Sequence, residues 1–278
     1  MNITVNELII LMALARFKFL TSSQLKHLLG CKSLSTANSA LRRLKWFRFP
    51  LVKSVDFGVA PGKGRMAPIY YLTKAGMDHL VAWTSLTAEV ILKPSRNTVY
   101  FQQDYFHRVS TVWFALLFQK WLAANSYGLV EMDTYFNSRY VDGQFETATK
   151  IWSYGRFVEP DITAIYSAQG AYHTIMFEQH NGRDAKRALK QIKQHCLWLI
   201  HDSYVVRFKQ RDDICIIYIF QNPTIKNVVM KAMMASPTMR RVQHLFLFKN
   251  EIELKDNFED GWHHPDGTIV QFLQSPSE

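Results

Sequence analysis

The stretch PDITAIYSAQGAYHTIMFEQH, residues 160–180, decides how the second half of this chain folds. Apolar and β-branched residues dominate both of its arms, and Ser167-Ala168-Gln169-Gly170 between them is a hairpin turn signal. The pattern predicts two antiparallel strands, one over 157–166 with Pro160-Asp161 near its start and one over 172–180. The hairpin would place Asp161 beside Glu178.

Two carboxylates at adjacent strand ends form a candidate metal site. Asp161 and Glu178 can converge on one Mg²⁺ or Mn²⁺, since hard cations prefer oxygen ligands. His180 lies two residues beyond Glu178, on the same strand face, where metal-dependent nucleases usually hold a lysine. An imidazole can act as a base or a ligand. The alternative is that these acids are ordinary surface residues at strand ends.

The elements on either side of this hairpin predict the architecture of the second domain, which we place at residues 100–278. Apolar periodicity indicates a helix over 104–124, strands over 129–139, 161–167 and 172–180, a helix over 183–200 and a strand over 213–221. This αβββαβ order is that of PD-(D/E)xK, or restriction-endonuclease-like, nucleases. The fold class expected for the chain is therefore α+β or α/β.

The predicted helix over 183–200 is strongly basic. Its cationic residues are Arg183, Lys186, Arg187, Lys190 and Lys193. They would flank bound DNA, and Lys190 or Lys186 could replace the lysine that is missing from the strand. We therefore include Lys190 among the candidate catalytic residues, with Asp161, Glu178 and His180. The alternative is a solvated basic face without a ligand.

The first 92 residues predict a winged helix-turn-helix DNA-binding domain. Helical patterns cover 3–15, 22–29 and 35–45, and strands over 51–57 and 68–72 enclose a loop rich in glycine and lysine. A further helix runs to about Trp83. Thr21 or Ser22 would cap the second helix, and Gly30 would end it.

The third helix and the loop carry side chains suited to DNA. On the helix these are Ser35, Thr36, Asn38, Ser39, Arg42, Arg43 and Lys45. Such groups donate to phosphates and base edges when a helix lies in the major groove. Lys63 and Arg65 at the wing suit backbone or minor-groove contact. The alternatives are a solvated helix face beside an ordinary hairpin, or a winged helix that docks a protein.

Composition limits the class of protein. Of 278 residues, 48% are hydrophobic and 20% charged, which is enough apolar material for a core. Lysine and arginine exceed aspartate and glutamate by 33 to 23, giving a net charge of +10 that favours a polyanionic partner. Three scattered cysteines indicate neither a disulfide framework nor a zinc site. We expect a cytoplasmic protein without a signal peptide or a membrane span.

Several short segments, in this order, resemble the replication-relaxation family and the MobC-type plasmid relaxases. They are Leu11-Met12-Ala13-Leu14-Ala15-Arg16-Phe17, Leu20-Thr21-Ser22-Ser23-Gln24-Leu25, Ala40-Leu41-Arg42-Arg43-Leu44, Ile69-Tyr70-Tyr71-Leu72-Thr73-Lys74-Ala75-Gly76, His107-Arg108-Val109-Ser110, Pro160-Asp161 and Phe177-Glu178, then the basic helix. The resemblance implies action on double-stranded DNA at an origin or operator, in replication control or plasmid mobilisation. Other mobilisation or replication proteins would be partners.

The resemblance also assigns roles. Asp161 and Glu178 would hold the metal of a relaxase or nickase, with His180 in the position of the lysine. Many members of the family depart from the nuclease pattern at this place and only bind DNA. The sequence thus leaves two hypotheses open: a metal-dependent endonuclease, or a non-catalytic sequence-specific regulator with a degenerate nuclease fold.

Overall fold

The computed structural model of the chain describes residues 3–94, 104–141, 143–153, 156–201, 205–208 and 214–273. It divides into two compact units, Met1–Leu116 and Leu117–Glu278, and the division falls inside a long helix. The two domains predicted from the sequence end at residue 92 and begin at residue 100, and most of the segment between them lies outside the described residues. Both units mix helices and strands, so the expected mixed α/β class is confirmed.

The described residues of unit 1 include four helices before the long one. They are α1 Val5–Phe17, α2 Ser22–Leu28, α3 Leu34–Trp46 and α4 Lys74–Trp83. Of the two caps that the sequence left open, Thr21 caps α2: its hydroxyl accepts from the Gln24 N–H, and the Gln24 side chain accepts from the Thr21 N–H. Gly30 follows with a φ of +63°, the left-handed conformation that commonly ends a helix.

Unit 1 also contains five short strands. They are β1 Leu20–Thr21, β2 Val52–Val55, β3 Val59–Ala60, β4 Gly64–Arg65 and β5 Ile69–Leu72. An antiparallel sheet has the order β1-β5-β2, and β3 pairs with β4 at the end of the β2–β5 hairpin. The apolar faces of the helices and this sheet are buried, at Leu14, Leu25, Leu41, Val52 and Ile69 among others. The core therefore explains why α3 keeps its polar face outside.

The long helix and the remaining elements follow in chain order. They are α5 Tyr105–Ala124, β6 Gly128–Thr134, β7 Ser138–Val141, β8 Gln144–Thr147, β9 Ile151–Ser153, β10 Arg156–Val158, β11 Ile162–Ala168, β12 Ala171–His180, α6 Ala185–Ile200, α7 Val205–Phe208, β13 Ile214–Phe220, α8 Pro223–Ala235, α9 Pro237–Arg240, a 3₁₀ turn Gln243–Leu245, β14 Phe246–Asn250, α10 Glu251–Asp256, β15 Trp262–His263 and β16 Ile269–Val270. Among the described residues, no helix is long and apolar enough to cross a membrane.

A mixed seven-stranded sheet organises unit 2, in the order β16-β15-β14-β13-β12-β11-β6. Strands β6, β11 and β12 are antiparallel neighbours, β13 and β14 run parallel to β12, and the last two strands are antiparallel again. Helix α6 packs on one face through Ala188, Ile192 and Cys196, against Met176 and Tyr218. The two buried faces of the central strands explain their almost continuous apolar sequence.

Three parts of unit 2 differ from the sequence predictions. The single strand expected over 129–139 lies in a stretch that forms two strands, β6 and β7, which belong to different sheets. No strand was predicted between residues 144 and 156, where β8, β9 and the start of β10 lie, and the strand predicted over 157–166 is divided between β10 and β11, which also belong to different sheets. No element was predicted after residue 250, where the structure has α10, β15 and β16, with Trp262 and Phe272 buried in an aromatic cluster. The strand predicted from Asp213 is described from Ile214 onwards.

Candidate functional site

The structure brings Asp161 and Glu178 together at the ends of neighbouring strands. Asp161 directly precedes β11, and its N–H donates to the carbonyl of Phe177, one residue before Glu178 on β12. The pairing of Ile162 with Phe177 continues this register. Asp161 is 7% exposed and Glu178 is 2% exposed. Two acidic side chains are thus buried side by side, where an isolated charge is costly.

Backbone groups of β12 and of Tyr135 hold Asp161 in place. Its carboxylate oxygen Oδ2 accepts the Gln179 N–H at 2.6 Å. Its carbonyl accepts the N–H of Tyr135, just after β6, at 3.0 Å. The carboxylate therefore has one hydrogen bond from β12 and a defined position beside Glu178.

Helix α6 supplies both side-chain partners of Glu178. Gln191 Nε2 donates to Glu178 Oε2 at 2.8 Å, and His195 Nε2 lies 2.8 Å from Glu178 Oε1. Gln191 and His195 are four residues apart, so they lie on one face of the helix. The sequence analysis missed both. The sequence pattern that could have identified them is a pair of polar residues, one turn apart, on the helix face that carries the buried Ala188 and Ile192.

Burial dominates the electrostatics of this cluster. Burial, followed by repulsion from Asp161, raises the pKa of Glu178 well above its ordinary value. Burial also lowers the pKa of His195 to about 3. At neutral pH the imidazole is therefore neutral, and its contact with Glu178 is a hydrogen bond rather than an ion pair.

Tyr218 completes the buried cluster from the next strand. It is the partner of Glu178 in the parallel pairing of β12 with β13, and it is fully buried. Within the described part of the chain its hydroxyl has no hydrogen-bond partner. Burial and then the charge of Glu178 raise the pKa of this phenol well above its ordinary value. An unpaired buried hydroxyl carries a free-energy cost.

The other residues proposed for catalysis lie around the same strand end. His180 is buried on β12, two residues after Glu178, with its ring centroid 5.6 Å from that of Phe220. Lys190 and Lys186 are exposed on α6. The cation whose charge lowers the pKa of Glu178 is Arg187, one turn before Gln191. The sequence analysis expected Arg187 to contact DNA. Its effect on the pKa of Glu178 also links it to the pair of Asp161 and Glu178.

In unit 1, every polar residue proposed on α3 is exposed. These are Ser35, Thr36, Asn38, Ser39, Arg42, Arg43 and Lys45. Arg43 Nε lies 3.0 Å from Oε1 of the buried Glu7, and Lys45 Nζ donates to Ser54 Oγ at 2.8 Å. Among the described residues Arg42 has no ion-pair partner. Arg43 thus has a structural contact, whereas Arg42 extends from an open face.

The two basic residues of the β2–β5 hairpin also have local contacts. Arg65 forms a 2.8 Å ion pair with Asp56, and both side chains are exposed. Lys63 Nζ lies 4.0 Å from the centroid of the Phe106 ring. In unit 2, Arg183, Lys186 and Arg187 are exposed at the start of α6. All five of these basic side chains are exposed, so they can contact an external anion. The ion pair of Arg65 with Asp56 does not prevent this, because exposed ion pairs are weak.

The cluster can hold a proton or a divalent cation. Mg²⁺ commonly binds one or two carboxylates and completes its shell with waters and phosphate oxygens, so Asp161 and Glu178 fit such an ion. Within the described residues, no group of three or more histidines, cysteines or acids is arranged to hold a metal. Comparison of the chain with protein-family models, with curated proteins and with solved structures finds no match.

Proposed function

We propose that this chain is a DNA-binding protein of a plasmid or mobile element that acts at an origin as a metal-dependent nickase. The observation that carries the proposal is the buried pair of Asp161 and Glu178, in which burial, followed by repulsion from Asp161, raises the pKa of Glu178. Strongly shifted ionisable groups that cluster together are candidates for functional sites. A bound divalent cation would relieve this repulsion.

The order of elements supports the finer fold assignment within this proposal. The elements α5, β6, β11, β12, α6 and β13 follow the αβββαβ order of PD-(D/E)xK nucleases, with β7 to β10 added between β6 and β11 and α7 added before β13. In unit 1, three helices, a hairpin and a fourth helix follow the winged-helix order. The basic face of α6 and the exposed face of α3 would contact DNA phosphates, and α3 would also contact base edges.

Each residue of the unit 2 site has a role in this proposal. Asp161 and Glu178 would hold Mg²⁺ or Mn²⁺, which in such sites supplies Lewis acidity and a water of lowered pKa. His180 would accept a proton beside them, and Arg187 would bind a phosphate of the DNA. Gln191 and His195 orient Glu178 through its two oxygens. The Gln179 N–H orients Asp161.

A nicking assay tests the proposal. Supercoiled plasmid carrying the DNA that flanks the coding region would be incubated with the full chain and Mg²⁺ or Mn²⁺. We expect open-circular product from the wild type and a loss of at least a hundredfold in rate for Asp161→Asn. The exposed Asp78→Asn is the matched control and should nick at the wild-type rate. Equal rates for all three proteins, or no nicking by any, would contradict the nickase.

A second candidate function is a non-catalytic, sequence-specific regulator of replication or transcription. It is favoured by the engagement of both Glu178 oxygens with Gln191 and His195, and by His180 in the place of a lysine. This protein would bind DNA, and the logarithm of its affinity would fall linearly with the logarithm of the salt concentration. Arg42→Ala would weaken binding, whereas Asp161→Asn would leave it unchanged, and no metal would produce nicking.

A further inference from the structure

Two small antiparallel hairpins outside the main sheet expose paired aromatic rings. They are β7–β8 and β9–β10, and we call them the aromatic hairpins. Tyr140 pairs with Phe145, with ring centroids 5.1 Å apart, and these residues are 66% and 79% exposed. Trp152 pairs with Phe157 at 5.2 Å, with exposures of 47% and 44%. Four exposed rings in about twenty residues form a surface suited to a partner.

Polar contacts join the two hairpins and hold the rings in place. Trp152 Nε1 donates to Glu146 Oε1 at 2.9 Å, and Lys150 Nζ lies 3.4 Å from the same oxygen. The Arg139 guanidinium donates to the Lys150 carbonyl at 2.5 Å. The indole N–H is therefore satisfied within the protein. The open parts of the rings can contact a ligand without loss of this bond.

The second aromatic hairpin lies against the helix that orients Glu178. Ile151 and Val158, on its buried side, belong to the same apolar core as Ala188 and Ile192 of α6. Val158 also precedes Asp161 by only three residues. The exposed rings of this hairpin are thus carried by elements that directly adjoin the carboxylate pair.

The charge around the aromatic hairpins favours an anionic ligand. Lys150 Nζ lies 4.2 Å from the Trp152 ring and 4.6 Å from the Phe157 ring. Arg156 on β10 is exposed. Arg183, just before α6, and the helix itself add exposed cations, which in the helix are Lys186, Arg187, Lys190 and Lys193. Protein interfaces are depleted in lysine, so this composition fits a nucleic acid better than a protein.

We infer that the aromatic hairpins bind the unpaired bases of single-stranded DNA beside the Asp161–Glu178 site. Bases of a single strand can stack on exposed rings while its phosphates contact a basic surface, whereas the bases of a duplex are already stacked. The inference rests on the proposed function in one respect: the DNA strand bound by the aromatic hairpins would be the strand presented to Asp161 and Glu178. The chain would then act on a locally melted origin.

Fluorescence anisotropy with the full chain tests this inference. The probes are labelled oligo(dT) of about 15 nucleotides and a duplex of equal length. We expect Tyr140→Ala/Phe145→Ala to weaken oligo(dT) binding about tenfold or more, since each stacked base contributes substantially. Duplex binding should not change. Phe145→Trp keeps a ring and should retain affinity, and Tyr172→Ala removes an exposed ring at the far end of β12 as the matched control.

The outcomes separate this inference from the nickase. If wild type does not bind oligo(dT), or if the double variant binds it as the wild type does, the inference is overturned whatever the nicking assay shows. Equal loss in Tyr172→Ala would also overturn it, because the hairpins would then have no special role. Retained oligo(dT) binding by Asp161→Asn, with the expected loss in the double variant, supports the inference even if no metal produces nicking.

Discussion

His195 Nε2 lies 2.8 Å from Glu178 Oε1, with both side chains almost completely buried. Burial shifts the two pKa values in opposite directions: that of Glu178 rises and that of His195 falls to about 3. Each shift favours the neutral form of its group. The contact therefore makes the stability of unit 2 depend on pH in a way that can be predicted.

The pH dependence has opposite signs for the two residues. The unfolded chain protonates His195 below about pH 6.5, whereas the folded chain resists until about pH 3, so stability is lost as the pH falls through this window. Glu178 has a raised folded pKa, so the stability it contributes is present below its unfolded pKa and is lost as the pH rises through the folded pKa. In the wild type the two effects partly cancel.

Substitution of either residue should expose the effect of the other. Relative to wild type, we expect His195→Gln to gain unfolding free energy on acidification below about pH 6.5, by up to about 1.4 kcal/mol per pH unit. Relative to wild type, Glu178→Gln should gain unfolding free energy as the pH rises above about 4.5. Urea unfolding between these limits measures both, with the exposed His244→Gln as control. Parallel curves for all the proteins would refute this assignment.

Arg43 and Arg42 are neighbours on α3 with different expected effects on stability. Arg43→Ala removes the ion-pair partner of the buried Glu7, so we expect a loss of about 1–3 kcal/mol. Arg42→Ala should change stability by less than about 0.5 kcal/mol, because its side chain is exposed. Thermal unfolding checks both. A loss for Arg42→Ala as large as that for Arg43→Ala would show that the ion pair with Glu7 is unimportant.

Phe272 tests whether the C-terminal segment belongs to the core of unit 2. Its ring is 1% exposed and lies 4.9 Å from that of Trp121 and 4.7 Å from that of Phe258. Phe272→Ala should cost about 3–5 kcal/mol through lost burial and a cavity. Ile269→Ala, at an exposed position of β16, is the control and should be nearly neutral. Similar unfolding midpoints for both variants would contradict the packing described for this segment.

The sequence predicted the elements that have a strong local signal. Thr21 or Ser22 marked the start of α2, and Thr21 is the residue that caps it. The turn at Gly170 marked the hairpin of β11 and β12. The adjacency of Asp161 and Glu178 followed from that hairpin. These predictions succeeded because caps, turns and alternation act over a few residues.

The missed features depend on contacts between distant residues. Strands β7 to β10 have three or four residues each, which is too short for a clear alternation. Trp262 and Phe272 lie in a stretch without a clear apolar period, and only the fold gathers them with Trp121. Gln191 and His195 resemble polar positions of an amphipathic helix until Glu178 is placed against them. Their position on the apolar face of α6 is the local signal, but it does not identify Glu178 as their partner.

Binding of Mn²⁺ to the purified chain tests the central claim most directly, since it does not depend on knowing the DNA target. Isothermal titration at several pH values should show one Mn²⁺ site in the wild type and in Asp78→Asn. Its affinity should rise with pH, because Glu178 must lose its proton. In Asp161→Asn the site should be lost. Wild-type affinity in Asp161→Asn, or no Mn²⁺ binding by the wild type, would contradict a metal site at Asp161 and Glu178.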